Sequence, residues 1–315
     1  MKLYPLTFRP VYKDYLWGGR GLAAVGKALP PTGVVAESWE ISAHPNGPGV
    51  AADGALAGRT LAELTAAYGP RLLGTKYASE TAFPLLVKFI DAQKPLSVQV
   101  HPGDDYARRR IGPDERGKNE CWYVAAAREG AELIAGTKPG VDRAAFEKAV
   151  ADGTVTDCLR RVPIRAGDFV FIPAGLVHAI GAGLLILEIQ QSSDTTYRVY
   201  DYDRVGPDGR RRPLHLAQAL DCIDFGLSAA AIPSEGRGVL TDNPFFRVEN
   251  VVLDGERRFD TEGKHFDILT AFAGEGAALV WDGGRRMLAP GVSVLVPAEV
   301  GAYRLEGRIH LLRAY

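Results

Sequence analysis

Short apolar segments, separated by frequent glycine and proline, form the dominant pattern along this chain of 315 residues. Many of these segments are rich in β-branched and aromatic residues, which suit the half-buried surface of a pleated sheet and so predict strands. The predicted strands are 37–42, 96–101, 121–124, 169–172 and 184–189. The candidate helices are 61–68, 143–151 and 214–222. Many short strands with few helices predict a β-barrel or jelly roll.

A diverged internal repeat is visible in the same pattern. Residues 164–174 align with 288–298 at an offset of 124, and the Glu-Gly pair at 129–130 aligns with 275–276 at an offset of 146. The two offsets differ by 22 positions, about the length of 138–161, which has a helical pattern and would be an insertion in the first copy only. The repeat therefore predicts two stacked sheet units of similar architecture.

Composition and charge narrow the class of protein. Hydrophobic residues make up 46% and charged residues 24%, which is typical of a soluble globular chain. The formal net charge of -1 excludes broad binding to nucleic acid or to anionic membranes. No apolar run at the N-terminus predicts a signal peptide, and the three cysteines form neither a disulfide framework nor a CxxC metal site. We therefore expect a cytoplasmic protein.

Four polar residues on predicted strands form a candidate metal site. Gln99 and His101 stand at i and i+2, so strand alternation directs both side chains to one face. Glu120 opens the next strand, and the stretch 167–178 runs through a Pro/Gly turn into His178. Buried polar groups need partners, and one shared metal ion would satisfy several at once. Imidazole, carboxylate and amide oxygen predict zinc or another divalent ion with a position left open for substrate.

The second copy of the repeat serves as an internal control on this site. At the offsets of the repeat, Glu120 corresponds to Phe266 and His178 to Ala302, and neither of these side chains can bind a metal. The predicted domains are therefore a metal-bearing one at 1–235, with the helical insertion near 138–161, and a second, ligand-free one at 236–315.

The turn at 167–178 resembles the second signature of the cupins. The segments 83–106 and 117–123 are more specific, because they are similar to the type I mannose-6-phosphate isomerases, particularly to their short form. Further segments similar to that family are 15–19, 37–42 and 191–198. The resemblance implies an all-β fold of two cupin-type jelly-roll β-barrels with short helical insertions.

The resemblance also implies an activity and its residues. Members of this family interconvert mannose 6-phosphate and fructose 6-phosphate through an enediol(ate), and we expect one zinc ion per chain. The residues carried over are the metal ligands Gln99, His101, Glu120 and His178, the catalytic Arg198, and Lys118 and Lys88 near the substrate. Zinc can polarise substrate oxygens, and Lys or Arg can neutralise developing charge or hold a phosphate. The expected partner is therefore a small sugar phosphate, and the oligomeric state is left open.

One departure from the longer members of the family affects the substrate pocket. Those members carry a separate helical domain between the glutamate and the last histidine, but Glu120 and His178 are only 58 positions apart here. That domain is therefore absent, and the residues that contact the phosphate are left unassigned. Four further histidines are isolated in the sequence and are interpreted as structural: His44, His215, His265 and His310.

Two alternatives stay open at the level of sequence. The two histidines and the glutamate would suit iron(II) in a cupin dioxygenase, although Gln99 replaces the usual second histidine of an HxH pair. A non-enzymatic sugar-phosphate-binding cupin could also keep the same lysines and arginine beside a metal. Metal analysis combined with an assay on mannose 6-phosphate would separate these alternatives.

Overall fold

The computed structural model of the protein describes residues 1–206 and 209–315. Strands dominate and the helices are short, which confirms the prediction of a mostly β fold. The described chain forms two compact units. The first unit comprises Met1–Lys13, Arg20–Phe89 and Ser234–Tyr315, and the second comprises Asp14–Gly19 and Ile90–Pro233. These units group segments by packing; the division at residue 235 into a metal-bearing and a ligand-free domain stays a prediction.

The strands follow one another closely along the chain. The first ten are β1 (Leu6–Arg9), β2 (Val11–Lys13), β3 (Glu37–Ile41), β4 (Val50–Ala51), β5 (Leu85–Ala92), β6 (Val98–Val100), β7 (Glu120–Ala127), β8 (Glu132–Thr137), β9 (Leu159–Pro163) and β10 (Asp168–Ile172). Those that follow are β11 (His178–Ile180), β12 (Leu184–Gln191), β13 (Tyr197–Tyr200), β14 (Ile232–Pro233), β15 (Val239–Asp242), β16 (Arg247–Asp260), β17 (Asp267–Trp281), β18 (Gly284–Leu288), β19 (Ser293–Val296) and β20 (Ala302–Ala314).

The helices are α1 (Leu61–Tyr68), α2 (Pro70–Leu73), α3 (Asp104–Arg110), α4 (Arg143–Ala151) and α5 (Leu216–Cys222). Capping residues explain two of the starts. The Thr60 hydroxyl accepts a hydrogen bond from the Glu63 backbone N–H while the Glu63 carboxylate accepts one from Thr60, and Asp142 caps α4 by accepting from Ala145. The predicted insertion holds α4 and a 3₁₀ turn at Val155–Cys158, but it ends in strand β9, which begins at Leu159.

One sheet forms the larger part of the first unit. Its strand order is β15-β16-β20-β17-β19-β1-β4, with β18 paired to β17. Aliphatic and aromatic side chains from β16, β17, β19 and β20 pack into a buried cluster that includes Leu269, Leu279, Val294 and Leu311. A separate antiparallel pair joins β2 to β3, which is buried along its whole length. In the part of the chain described, this strand order ends at β15 on one side and at β4 on the other. Closure of the sheet into a jelly-roll barrel therefore stays a prediction.

Two sets of antiparallel strands build the second unit. One set has the order β14-β10-β7-β12, and the other has the order β13-β6-β11-β8-β9. The side chains of Val98, Val100, Val177 and Val199 pack with Phe146 of α4 in a buried cluster on the second set. The helical insertion thus covers an apolar face of this set. No helix among the described residues is both long and apolar enough to span a membrane.

Strand register tests the internal repeat and corrects it by one residue. In the first copy β7 pairs with both β10 and β12, and in the second β17 pairs with both β19 and β20, which supports the repeat. Ile172 lies opposite Glu120, but its repeat partner Val296 lies opposite Asp267, not opposite Phe266. The counterpart of Glu120 is therefore Asp267, and the predicted Phe266 is wrong.

The partner of His178 shifts in the same way. His178 lies opposite Ala135 on β8, whereas Tyr303 lies opposite Trp281 in the second copy. The counterpart of His178 is therefore Tyr303 instead of the predicted Ala302. Alternate side chains of a strand point to opposite faces, so a shift of one residue replaces an outward-facing side chain by an inward-facing one.

Candidate metal centre

Three strand ends of the second unit bring a carboxylate and two imidazoles together. Glu120 is the first residue of β7, His178 the first of β11, and His101 follows β6. Nε2 of His101 lies 3.5 Å from one Glu120 carboxylate oxygen, and Nε2 of His178 lies 3.5 Å from the other. All three ligand atoms lie within 4.8 Å of one another, and all three residues are buried. The predicted His101, Glu120 and His178 therefore form one group.

Backbone carbonyls fix the tautomer of both histidines. Nδ1 of His101 lies 2.8 Å from the carbonyl oxygen of Thr195, and Nδ1 of His178 lies 2.8 Å from that of Leu176. A carbonyl oxygen can only accept, so each Nδ1 carries a proton and each Nε2 offers its lone pair to the group. Burial lowers the pKa of His178 to about 4, which keeps this ring neutral at pH 7. The Lys118 ammonium, which can only donate, lies 3.0 Å from Nε2 of His101, so both rings offer a lone pair in the form that binds metals.

The donor set fits a divalent cation. Two neutral imidazoles, which are borderline ligands, and one carboxylate together suit zinc, iron and related ions, and three protein ligands leave room for further coordination. The ammonium of Lys118 already lies within this group. Its Nζ is 3.0 Å from Nε2 of His101 and donates a hydrogen bond to Glu120. The group therefore attracts positive charge.

Gln99 lies beside the group in a definite orientation. It is the register partner of His178 on β11, and its amide nitrogen lies 3.4 Å from His178 Nε2. Its amide oxygen accepts a hydrogen bond from the Ser97 hydroxyl at 3.2 Å. The nitrogen thus faces the group, and ligation through oxygen would require a half-turn of the amide. The predicted role of Gln99 as a fourth ligand stays a prediction.

A second buried carboxylate, Glu188, was not singled out from the sequence. It lies on β12 opposite Trp122, accepts a hydrogen bond from the indole N–H at 2.8 Å, and lies 3.9 Å from the Lys118 ammonium. In the sequence it stands within the apolar run 184–189, where a single glutamate gives little signal. The signal that could have found it is alternation, because Glu188 shares a face of the paired strands with Trp122 and Glu120.

Arg198 extends the group along the neighbouring strand. Gln99 pairs with His178 on one side and with Arg198 of β13 on the other, so the three residues form one row across three strands. The Arg198 Nε is buried and has no hydrogen-bond partner in the part of the chain that the structure describes. The backbone of Arg198 is held by His215, whose Nδ1 accepts from the Arg198 N–H at 3.2 Å and whose N–H donates to the Arg198 carbonyl at 2.8 Å. His215 thus supports a predicted site residue.

Lys88 belongs to the first unit. It is buried on β5, its ammonium lies 3.6 Å from the Glu37 carboxylate, and it also lies over the ring of Trp39 at 5.8 Å from the centroid. Glu37 in turn accepts a hydrogen bond from the Trp39 indole at 2.7 Å. These contacts anchor Lys88 within its own unit. Its predicted place near the substrate stays a prediction.

Together the fold and the site define a mostly β protein with a buried His/Glu/His group suited to a metal ion. Residues 6–133 match the family model for the catalytic domain of phosphomannose isomerase type I. Residues 238–315 match the model for the cupin domain of mannose-6-phosphate isomerase. The chain is similar over 99% of its length to mannose-6-phosphate isomerase of Streptococcus mutans serotype c, with 37% identity and 98% of that protein covered.

Solved structures agree. The crystal structure of mannose 6-phosphate isomerase from Bacillus subtilis matches with a TM-score of 0.89 and 32% identity, covering 99% of this chain and 100% of that one. A mannose 6-phosphate isomerase bound with zinc and yttrium has a TM-score of 0.75 at 17% identity, covers 99% of each chain, and shows likeness of fold alone. The chain belongs to the type I phosphomannose isomerase family.

Proposed function

We propose that this chain is a zinc-dependent aldose–ketose isomerase that interconverts mannose 6-phosphate and fructose 6-phosphate. The observation that carries the proposal is the convergence of His101, Glu120 and His178 in one buried group, with both Nε2 atoms offered to it. Family membership supports the choice of reaction, since the relatives named above are mannose-6-phosphate isomerases. The substrate is accordingly a sugar phosphate.

One zinc ion per chain is the expected cofactor. His101, Glu120 and His178 would hold it, and Gln99 would add its amide oxygen after the rotation described above. When bound, zinc would act as a Lewis acid on the sugar oxygens at the two reacting carbons. Borderline nitrogen ligands favour zinc over magnesium or calcium, which prefer oxygen-only sites. The same ligands also suit iron(II), so the test includes the identity of the metal.

The isomerisation moves one proton between adjacent carbons of the open-chain sugar. A base removes the proton from C2 of the aldose, the carbonyl moves from C1 to C2 through an enediol(ate) as the hydroxyl proton passes from O2 to O1, and a proton returns to C1. Lys118 is placed to neutralise negative charge that develops on the sugar oxygens, because its ammonium already lies within the group. Arg198 would neutralise the same charge from β13, which β6 separates from β11. Lys88 would contact the substrate.

The finer architecture is part of the proposal. We infer two cupin-type jelly-roll barrels, with the metal carried in 1–235 and a ligand-free second barrel in 236–315. Cys121, Cys158 and Cys222 are free thiols, which is common in the reducing cytoplasm and supports that location.

Metal analysis with a coupled assay tests the function. The purified protein should contain one zinc per chain and convert mannose 6-phosphate to fructose 6-phosphate. Treatment with a chelator should abolish turnover, and added zinc should restore it. Full activity in protein shown to be free of metal would contradict the proposal. Restoration by iron(II) alone, together with oxygen consumption, would instead favour a dioxygenase.

A further inference from the structure

Strand β7 is paired on both sides at its first residue. Glu120 lies opposite Ile172 of β10 and opposite Gln190 of β12. Asn119 precedes the strand, and here two side-chain amides continue the pairing on both sides. The amides belong to Asn119 and Gln191, and both residues are buried, with 6% and 5% of their surface exposed. Buried amides need defined partners for their donors and acceptors, so the contacts of this pair are informative.

Asn119 bonds to the strands on both sides of β7. On the β12 side, its backbone N–H and its side-chain Nδ2 donate to Oε1 of Gln191, at 3.0 and 2.8 Å. Its carbonyl oxygen accepts from the Gln191 N–H at 3.0 Å. On the β10 side, its Oδ1 accepts from the Ala174 N–H at 2.9 Å, in the turn that leads to His178. Asn119 therefore ties the segment before Glu120 to the turn before His178.

Gln191 extends these contacts to the loop that follows His101. Its Nε2 donates to Oδ1 of Asp104 at 3.1 Å, and the same oxygen accepts from the Gly117 N–H at 2.7 Å. A larger residue would not fit at Gly117, because its Cβ would lie 2.5 Å from the Asp104 backbone nitrogen. The glycine thus lets the segment before Glu120 pack directly on the loop after His101.

The Asn119–Gln191 pair therefore contacts the three segments that carry the candidate ligands: the segment before Glu120, the loop after His101 and the turn before His178. Each contact has a fixed direction, because a backbone N–H can only donate and a carboxylate can only accept. Rotation of either amide would set donor against donor and acceptor against acceptor, so the pair has one stable arrangement. Outer partners that orient metal ligands typically change metal affinity by about ten- to a hundredfold.

We propose that Asn119 and Gln191 are positioning residues that together set the spacing of His101, Glu120 and His178 and thereby the affinity of this group for zinc. The inference rests on the proposed function, because it takes the group to be a zinc site. The pair acts through the segments that carry the ligands and supplies no ligand of its own. Loss of the pair should therefore change the geometry and the affinity of the site while all three ligands remain.

Competition with a chromophoric chelator measures the zinc affinity of the variants. Asn119→Ala removes both side-chain contacts and should weaken zinc binding by about ten- to a hundredfold. Gln191→Met keeps the length of the side chain, removes its polar atoms and should weaken binding at least as much. The double variant should lose much less than the product of the two single losses, because the two amides act as one unit. Losses that simply multiply would overturn the paired assignment.

Asn250→Ala is the matched control. Asn250 is also a buried amide, but it lies on β16, where it donates to the Ser234 carbonyl at 3.2 Å and its Oδ1 lies 2.6 Å from Nε2 of His310. Its loss should lower stability and leave zinc affinity at the wild-type value. A control variant that weakens zinc binding as much as Asn119→Ala would show that general destabilisation causes the effect, and would overturn the inference.

Visible absorption of the cobalt(II)-substituted protein reports ligand geometry without turnover. The bands should change in position or intensity in Asn119→Ala and stay unchanged in Asn250→Ala. If Gln191→Met does not fold, Asn119→Ala carries the test, because it keeps its backbone bonds to Gln191. Wild-type zinc affinity with a wild-type cobalt spectrum in Asn119→Ala would overturn the inference. Weakened zinc binding by these variants of a protein that cannot isomerise mannose 6-phosphate would refute the proposed function and leave the positioning role standing.

Discussion

The two copies of the repeat each bury a carboxylate, but the groups that surround it differ. In the first copy Glu120 is surrounded by two imidazoles and the Lys118 ammonium, and Glu188 lies 3.9 Å from the same ammonium. Two carboxylates therefore face one ammonium. The neutral imidazoles add lone pairs and no charge, so a divalent cation is the natural further partner.

In the second copy, other protein groups balance the charge of the buried carboxylate. Asp267 accepts a hydrogen bond from the Tyr303 hydroxyl at 2.6 Å, and its other oxygen lies 2.9 Å from Nε of Arg313. Arg313, the counterpart of Glu188 in the register, also donates to Glu249. The nearby carboxylates raise the pKa of Arg313 in spite of its burial, so the guanidinium stays charged. A fixed cation from the chain thus lies where the first copy carries a second acid.

The difference shows what separates a candidate metal centre from a structural ion pair on one scaffold. Both copies bury an acidic side chain at the start of the same strand. The exchange of a glutamate for Arg313 and of a histidine for Tyr303 supplies a cation and a proton donor, and it removes the lone pairs that a metal needs. We expect metal dependence in the first copy and dependence of stability on the ion pair in the second.

The largest effect should follow from loss of a ligand in the first copy. His178→Ala removes one of two imidazole nitrogens from a three-residue group, so we expect loss of zinc and a fall in turnover of several orders of magnitude. Elemental analysis and the coupled assay check this. Full stoichiometric metal in the purified variant would show that His178 is not a ligand.

Arg198 should affect catalysis without affecting the metal. It belongs to β13, which pairs with β6 of the second unit. Arg198→Ala removes a charge next to the substrate path, so we expect turnover to fall roughly 10²- to 10³-fold. Zinc content and the thermal midpoint should stay near the wild-type values. A variant with normal kcat, or one that loses its metal, would contradict this role.

The ion pair of the second copy should control stability. Arg313→Leu leaves the Asp267 carboxylate buried beside apolar atoms, so unfolding free energy should fall by about 3–5 kcal/mol. The zinc content of the folded fraction should be unchanged. Combining it with Asp267→Leu should recover part of the loss, because no unpaired charge is then buried. Denaturant unfolding of the three variants checks this, and a loss of zinc on Arg313→Leu would break the proposed separation.

A smaller effect is expected from the hydroxyl of Tyr303. Tyr303→Phe keeps the ring, which stacks on Phe259, and removes only the hydrogen bond to Asp267. Stability should fall by about 1–2 kcal/mol, because Asp267 keeps its contact with Arg313. Turnover should be unaffected. A change in kcat with unchanged stability would show that the second copy takes part in the reaction.

Much of the fold and of the candidate site could be predicted from sequence. Helices 61–68 and 143–151 were predicted with the observed bounds, and the structure shows that Thr60 and Asp142 cap their N-termini. His101, Glu120 and His178 could be grouped because strand alternation and the turn before His178 direct them to one place.

The rest depends on register and on long-range contacts. The true counterparts Asp267 and Tyr303 were missed by one position, since a short Gly/Pro match does not reveal where a strand gains or loses a residue. His215 was interpreted as structural because it is isolated in the sequence, and the sequence did not reveal its contact with the backbone of Arg198, 17 positions away. Such contacts arise only when the strands are paired.

The carbonyl groups that orient the two histidines also shape how the site tolerates sequence change. Thr195 and Leu176 act through main-chain oxygens, which every amino acid possesses. Exchange of either side chain should therefore leave the proton on Nδ1 and the lone pair on Nε2. A saturation scan of the site should score both positions as permissive despite their direct contact with the ligands. Substitutions at these two positions should therefore have little effect on the candidate metal centre, because its histidines are oriented by the course of the backbone.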